Sequence, residues 1–413
     1  MVGGTVRDDR AAPHPACLHC RPGGPFIATR ARAADPILLG VSGPLTGPNA
    51  QYGLTGPNAQ YGLTGPNAQY GLTGPNAQYG AQWKDGFDLA LDAVDHRVGD
   101  RPLQYVFEDS QSDPRQAVAL AQKFVSDKRI VMELGDFSSP ASMAASPIYQ
   151  RGQLVQFGIT NSHPDFTKGG TYMWSNSPSQ ADEQPKLAEF AVQALGLKRC
   201  AVLHLNTDWG RTSRDLLLPA IKALGGEAVA VEAFVPDERD FRPTLVRARD
   251  AKPDALVLIA YCGDAALIAR QARDQGLKQP LVCVSSVYSP KLPELGGAAV
   301  EGLYTQSPYS PADPRPEVQD FIKRFQAKFG REPDAFNVYA YDAIIIAHAV
   351  ISEAGTDRKA IRDGLAKLRD VPSVIFGKAT FDPETRRVHD AHYARLIVKD
   401  GKFTVWDGQT RPA

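Results

Sequence analysis

Short apolar runs alternate with segments in which apolar residues recur at helical spacing along most of the chain. Pro36–Val41, Leu103–Glu108 and Ile130–Leu134 are apolar runs of strand length. Between them, Trp83–Asp95 and Pro114–Asp127 carry apolar residues every three or four positions, the period of an amphipathic helix. Strands that alternate with helices in this way predict a parallel sheet covered by helices on both faces.

The alternation breaks at the polar segment Ser175–Gln180 and then restarts. A second series of strands and helices extends from Ala181 to Val284, and three helices between Pro316 and Lys367 precede strand-like segments at the C-terminus. Two such series predict an α/β fold of two doubly wound lobes. Ligands of such sheets bind at the carboxyl ends of the strands, close to helix N-termini.

One nonapeptide, LTGPNAQYG, occurs four times in tandem without a single difference. The copies are Leu45–Gly53, Leu54–Gly62, Leu63–Gly71 and Leu72–Gly80. Each unit has one Leu and one Tyr, too little apolar surface to stack into a core, and its Gly-Pro and Asn residues favour turns. We expect one copy to belong to the fold and three to be inserted duplicates.

The first 34 residues have features of an export signal but not its apolar core. Ala31-Arg32-Ala33-Ala34 resembles a signal-peptidase site, yet the preceding residues are rich in arginine and lack an apolar stretch. We expect residues 1–34 to be a disordered or mis-called leader and the mature protein to begin near Asp35.

Composition excludes several classes of function. Lys and Arg (46) balance Asp and Glu (46), so no overall charge favours nucleic acid or an anionic membrane. No uninterrupted apolar run approaches the roughly 20 residues that span a bilayer. Of the five cysteines, Cys17 and Cys20 form a lone C-x-x-C without the second ligand pair of a zinc site. We therefore expect no metal and no cofactor.

Catalytic motifs are absent. No G-x-G-x-x-G follows the first strand, no G-x-x-x-x-G-K-[ST] or H-E-x-x-H occurs, and the eight histidines are scattered. Nothing in the sequence therefore motivates an enzyme.

Two strand-end loops are candidates for a binding site. In 135–142, Ser139 is suited to the N-cap of a helix and Pro140 to its first position, so free N–H groups and the hydroxyl of Ser138 would suit an anion such as a carboxylate. The alternative is that Ser139 only caps its helix. The loop 158–164 has the same small, polar character.

Several collinear segments resemble the periplasmic leucine/isoleucine/valine-binding proteins. They are GDFSSPASMAASPIYQ, the GPNAQYG turn, and the stretch from DFRPTLVRARDAKPDALVLIAY to ALIARQARDQGLKQP. The resemblance extends from about Asp35 to the C-terminus, without the repeat. It implies a type I periplasmic binding protein, with two lobes joined by three crossovers and closing as a hinge. The expected N-terminal lobe is 35–178 plus 309–371, with the repeat 45–80 at the cleft mouth, and the C-terminal lobe is 179–308 plus 372–413.

The resemblance also implies the residues of the site. Ser139 matches the serine that receives the ligand carboxylate, and Thr160 and Ser162 match positions whose backbone carbonyl and hydroxyl contact the ligand. Trp209 and Tyr261 match aromatic residues of the second lobe that meet the ligand on closure. The tyrosine of the repeat that borders the cleft is Tyr52 or Tyr79, and we favour Tyr79 because it leads directly into the following helix.

One departure from the family bears on the ligand. The acidic residue that pairs with the ammonium group in amino acid binders falls at Ser285 in this chain, and a buried ammonium without a carboxylate partner is costly. An aromatic or other simple carboxylic acid therefore fits Ser285 better than a branched-chain amino acid, for which Asp136, Asp208 or Asp264 would have to substitute.

The sequence thus favours a monomeric, non-enzymatic, extracytoplasmic solute-binding protein that delivers a small carboxylate-bearing ligand to an ABC permease. The alternative is a cytoplasmic ligand-sensing regulator of the same fold, which the missing signal core favours. An α/β enzyme is the third hypothesis and has no motif in its support.

Deletion of the first three repeat copies, 45–71, should preserve folding and leave ligand affinity equal or tighter, because the remaining copy supplies the turn and Tyr79. Thermal denaturation and ligand titration of the deleted and full-length proteins measure this. Loss of folding on deletion would show that the repeat is structural.

Overall fold

The computed structural model describes residues 35–44, 77–410 and 412. The expectations for the leader 1–34, for Tyr52 and for repeat residues 45–76 lie outside the described residues.

Two sheets, each with its own helices, form the two lobes. The strands are β1 Ile37–Gly43, β2 Arg97–Val98, β3 Arg101–Asp109, β4 Ile130–Gly135, β5 Val155–Gly158, β6 Met173–Ser175, β7 Arg199–Leu205, β8 Glu227–Phe234, β9 Ala255–Ile259, β10 Leu281–Cys283, β11 Tyr304–Ser307, β12 Val371–Ser373, β13 Gly377–Ala379, β14 Ala394–Lys399 and β15 Lys402–Val405. The helices are α1 Ala77–Ala93, α2 Pro114–Ser126, α3 Ser139–Gly152, α4 Gln180–Glu189, α5 Asp208–Ala223, α6 Arg242–Asp250, α7 Cys262–Asp274, α8 Lys291–Gly296, α9 Pro316–Phe329, α10 Ala335–Ala354 and α11 Arg358–Leu365.

The strand order of each sheet is that of a doubly wound fold. The first sheet runs β2-β3-β1-β4-β5-β6 and the second runs β15-β14-β11-β10-β9-β7-β8. Within the first sheet every pair except β2–β3 is parallel. In the second sheet β14 pairs antiparallel with both β11 and β15. The predicted α/β class with two doubly wound lobes is confirmed.

Helix caps follow the local sequence, with one shift of a residue. The Asp113 carboxylate accepts hydrogen bonds from the N–H groups of Arg115 and Gln116, and Pro114 begins α2, as predicted. At α3 the N-cap is Ser138 instead of Ser139, so Ser139 is the first helical residue and Pro140 the second. Proline is tolerated there because the N–H groups of the first turn have no intrahelical acceptor.

The helix α10 forms the centre of the first lobe. It is the one helix among the described residues that is long and apolar enough to cross a membrane, but most of it is buried inside the protein. It packs closely against α1, since a Cβ added at Gly86 would lie 2.2 Å from the carbonyl oxygen of Asn337. The helix is continuous through His348, which is half-buried.

The chain crosses between the sheets three times, and the last crossover comes later than predicted. The crossings follow β6, β11 and the segment that ends at Val388. Residues 371–388 lie on the first lobe, although the sequence assigned the chain after 371 to the second. The Asp342 carboxylate of α10 accepts hydrogen bonds from Ser373 Oγ (2.6 Å) and Val374 N (2.9 Å), and Phe381 packs edge-on against Trp174.

Arg387 fastens this last segment to the first crossover. Its guanidinium, 3% exposed, donates hydrogen bonds to the carbonyl oxygens of Asn161 (2.9 Å), Ser177 (3.0 Å) and His163 (2.6 Å). Burial lowers the pKa of Arg387 to about 10, so the side chain stays charged near neutral pH. One side chain thereby holds the loop after β5 to two of the three crossovers.

Replacement of Arg387 by methionine should lower the free energy of unfolding by about 2–4 kcal/mol, because three buried carbonyl groups lose a charged donor while one buried charge is relieved. Urea denaturation measures the change. The matched variant Arg270→Met, at an exposed position of α7, should change stability by less than about 0.5 kcal/mol. Equal stability of the two variants would contradict the role given to Arg387.

Candidate functional site

A cavity of about 620 Å³, open solvent included, lies between the lobes. It is bounded by the loops after β4 and β5 on the first lobe and by the N-terminal ends of α4, α5 and α7 on the second. Six of the eight residues expected from the sequence line it: Ser139, Thr160, Ser162, Trp209, Tyr261 and Ser285. Tyr79 and Ser138 lie behind this lining.

The N-terminus of α3 supplies hydrogen-bond donors to the cavity. Among the described residues, the N–H groups of Ser139 and Ala141 and the Ser139 hydroxyl have no intramolecular acceptor. The hydroxyl of Ser142, in the same loop, accepts the N–H of Asp136 at 2.8 Å and is therefore occupied. The N–H of Ser138 is occupied as well, since it donates to Asp136 Oδ1 at 3.1 Å. The anion-binding potential of this loop therefore rests on Ser139 and its neighbouring amides.

The second loop of the first lobe is fixed to the first loop by a side-chain hydrogen bond and by close packing. Asn161 Nδ2 donates to the carbonyl oxygen of Asp136 at 2.7 Å, which ties the loop after β5 to the loop after β4. A Cβ added at Gly158 would lie 2.7 Å from Asn161 Cβ, so the close approach of these segments requires glycine. Thr160 and Ser162 face the cavity from this braced loop.

Two aromatic residues of the second lobe lie over the loops of the first. Trp209 and Tyr261 stack with ring centroids 4.9 Å apart and planes 13° apart. Trp209 Nε1 donates to Ser162 Oγ at 3.1 Å, and the Tyr261 ring lies 5.4 Å from that of Phe137. The residues expected to meet a ligand on closure thus already contact the first lobe.

Tyr79, from the last repeat copy, links the lobes from a fully buried position. Its ring stacks on Phe137 at 4.2 Å. Its hydroxyl donates to the Ser286 carbonyl at 3.3 Å and accepts the Cys262 N–H at 3.2 Å, both on the second lobe. Tyr79 therefore supports Phe137 and Tyr261, which line the cavity, without lining it itself.

The acidic residue of the cavity is Glu183, which the sequence analysis did not find. It lies in the first turn of α4, is 6% exposed, and accepts the N–H of Ser285 on Oε1 at 2.9 Å. Burial raises the pKa of Glu183, and hydrogen bonds from Ser285 partly oppose this. The cavity thus has a carboxylate beside Ser285.

None of the three aspartates considered as substitutes lines the cavity. Asp136 turns back on its own loop and Asp208 pairs with Arg211 at the surface. Asp264 is partly buried beside Tyr261, and burial raises its pKa to about 6. Their positions therefore do not support the expectation that one of these aspartates pairs with the ammonium group of a ligand.

The periodicity of α4 contains the signal that could have found Glu183. Gln180, Glu183, Gln184, Leu187 and Ala188 share the buried stripe of the helix. Polar residues at three positions of a stripe that should be apolar indicate a helix face turned towards a polar site. Acidic residues are common in the first turn of a helix because they interact favourably with the helix dipole, so Glu183 alone did not stand out in the sequence.

Further aromatic residues complete the wall. Phe137, Phe336, Tyr339 and Tyr393 line the cavity and were not predicted. Among the described residues, the hydroxyls of Tyr339 and Tyr393 have no hydrogen-bonding partner.

The described residues contain no group of three or more potential metal ligands, and Cys200, Cys262 and Cys283 are buried. Cys17 and Cys20 lie outside the described part of the chain.

Replacement of Tyr79 by phenylalanine should lower the free energy of unfolding by about 1–2 kcal/mol, since a buried amide and a buried carbonyl lose their partner. Tyr309→Phe is the matched control, because the buried Tyr309 hydroxyl has no partner among the described residues. Denaturant titration of both variants measures the difference; equal effects would show that the Tyr79 hydroxyl does not join the lobes.

Comparison with known proteins identifies the family. The periplasmic binding protein family model matches residues 69–402. The Leu/Ile/Val-binding protein homolog 1 of Brucella suis is 27% identical over 362 residues, 86% of this chain and 89% of that protein.

Solved structures share the fold. A leucine-binding protein from Thermotoga maritima is 24% identical, with a TM-score of 0.79 over 90% of this chain and 97% of its own. A solute-binding protein of an ABC transporter from R. palustris, in complex with 4-hydroxybenzoate, is 22% identical, with a TM-score of 0.77 over 90% and 96%. The family match covers most of the chain and agrees with the two lobes and their cleft: this chain belongs to the periplasmic binding protein family, a family of binding proteins and not of enzymes.

Proposed function

We propose that this protein is the solute-binding component of an ABC importer and that it holds a small solute by its carboxylate group. The observation that carries the proposal is the N-terminus of α3, where Ser139 lines the cavity. Among the described residues, the Ser139 hydroxyl and N–H have no acceptor, and neither does the Ala141 N–H in the same first turn.

A carboxylate is the anion that suits this position. The N-terminus of a helix carries a partial positive charge and orphan N–H groups, so it stabilises a small anion without a buried lysine or arginine. Thr160, on the adjoining loop, lies beside the same face of the cavity. The first lobe therefore provides the initial binding surface.

Hinge closure would complete the site. Trp209 and Tyr261 belong to the second lobe and reach the first through Ser162 and Phe137. A solute bound to the first lobe would shift the population towards this closed arrangement, because only the closed arrangement adds the aromatic contacts. The three crossovers provide the hinge.

The known ligands of similar proteins support the chemical class. One relative is named for Leu, Ile and Val, one similar structure is a leucine-binding protein, and another holds 4-hydroxybenzoate. These solutes differ in size and aromaticity, but each has a carboxylate. A carboxylate-binding helix N-terminus is the requirement that they share.

The family supports a proposal for the location and partners of this protein. Membership implies a location outside the cytoplasmic membrane, and we propose that the protein acts in the periplasm as a monomer. The outer surfaces of the two lobes would meet the membrane subunits of an ABC permease transiently, when the closed form delivers its solute.

Thermal-shift screening against amino acids, amides and aromatic acids tests the proposal, since a ligand that binds only the folded protein raises its melting temperature. For a solute that does so, Ser139→Ala should weaken binding about tenfold or more, because a hydrogen bond to a charged group contributes about 1.5–3 kcal/mol.

Ser126→Ala is the control. Ser126 lies at the exposed end of α2, where its hydroxyl donates to Lys123 O. Affinity that is unchanged in Ser139→Ala would remove Ser139 from the site, and a panel in which no carboxylate-bearing solute binds would contradict the proposed function.

A further inference from the structure

We infer that Glu183 is the residue that selects the solute, and that it does so by binding a protonated amine. The solute class is then an aminated carboxylate, with its carboxylate at α3 and its ammonium group at α4. This inference rests on the proposed function and goes further, because a carboxylate-binding cleft alone would also accept acids without an amine.

Glu183 is held in place by the protein. Its Oε1 accepts the Ser285 N–H, and its backbone carbonyl accepts a hydrogen bond from Gln306 Nε2 at 2.9 Å. Its side chain lines the cavity from the second lobe, across from the α3 terminus on the first. A carboxylate offers about four acceptor positions, and Ser285 is the only described residue that donates to it, so capacity remains for a ligand.

No basic side chain of the described residues neutralises Glu183. The groups that act on its ionisation are its burial and the donors of Ser285. The nearest lysine on its helix, Lys186, donates to the Ala391 carbonyl at 3.0 Å and lies over the Tyr393 ring. A nearly buried carboxylate without a cationic partner is unfavourable, and a ligand cation removes this cost.

The surroundings of Glu183 also suit a cation. Burial raises the pKa of both Tyr339 and Tyr393, and the Glu183 charge adds to the rise, so both phenols lie close enough to interact with this carboxylate. Their rings and hydroxyls line the cavity, and aromatic faces attract a cation. A second anionic group placed here would be repelled, and an apolar group would leave the carboxylate buried without a cationic partner.

Glu183 also changes what the serine at position 285 implies about the ligand. The absence of an acidic side chain at Ser285 argued against an amino acid. The backbone amide at Ser285 instead orients a carboxylate that comes from α4, in a different part of the chain. The charge that an ammonium group requires is therefore present in the cleft.

Two pairs of probes isolate the amine: L-leucine with 4-methylpentanoate, and L-phenylalanine with 3-phenylpropanoate. Within each pair the side chain and carboxylate are the same and only the ammonium group differs. Isothermal titration calorimetry of the full chain should show at least one amino acid bound about tenfold or more tightly than its deaminated partner. Glu183→Gln should reduce that ratio to near one, since glutamine keeps the acceptor for Ser285 but not the charge.

Glu189→Gln is the matched control, with the same substitution on the same helix. Glu189 is exposed and pairs with Arg395, outside the cavity. This variant should keep the wild-type preference. Thermal denaturation of both variants confirms that they fold.

The wild-type protein provides a second readout that needs no variant. Because burial raises the pKa of Glu183 and an ammonium group would lower it again, binding of the amino acid should release protons when the pH lies between these two pKa values. Its affinity should fall as the pH decreases and Glu183 becomes protonated. Titrations in two buffers of different ionisation enthalpy measure the proton release.

The outcomes distinguish the role of Glu183 from the proposed carboxylate-binding function. Tighter binding of the deaminated acids, or an unchanged preference in Glu183→Gln, would overturn the role of Glu183 and leave the proposed carboxylate-binding function standing. Failure of all four probes and of the wider carboxylate panel would overturn both.

Discussion

The arrangement of the cleft depends on one buried cation. Arg387 donates to three backbone carbonyls, two in the loop after β5 and one in the first crossover. That loop carries Thr160 and Ser162, so the position of these residues is set by a side chain more than 200 residues later in the sequence. Because Arg387 bonds the last crossover to the loop after β5, movement of that crossover would also displace Thr160 and Ser162.

Aromatic contacts join the two lobes, and the N-terminal ends of helices supply the polar groups of the cavity. A continuous series of rings runs from Tyr79 through Phe137 and Tyr261 to Trp209, crossing from the first lobe to the second. Phe137, Tyr261 and Trp209 of this series line the cavity, and Tyr79 packs behind them. The polar groups are placed at two separate positions, the amides of α3 and the carboxylate of Glu183 on α4. A low-dielectric wall strengthens both interactions and makes an unpaired charge at either position costly.

Local pattern was enough to predict the fold, because alternating strands and amphipathic helices are encoded over short windows. The first-lobe loops and the aromatic pair Trp209 and Tyr261 were also predicted, since they follow strand ends or match a family motif. Glu183 and Arg387 were not found. Each acts on residues far away in sequence, and an isolated polar residue in a helix or a loop has no local pattern that reports its partner. The end of the first lobe was misplaced for the same reason: the Asp342 interaction with Ser373 is visible only in three dimensions.

The first helix begins inside the last copy of the nonapeptide, at Ala77. Because all four copies are identical, the residues that leave β1 and the residues that enter α1 are the same whatever the number of copies between them. The entropic cost of closing a flexible loop rises only as the logarithm of its length, so each doubling of length costs about 0.6 kcal/mol. A repeat at this point can therefore expand or contract through slippage during DNA replication without altering either junction. The end of β1 and the start of α1 therefore set no requirement on the number of copies between them.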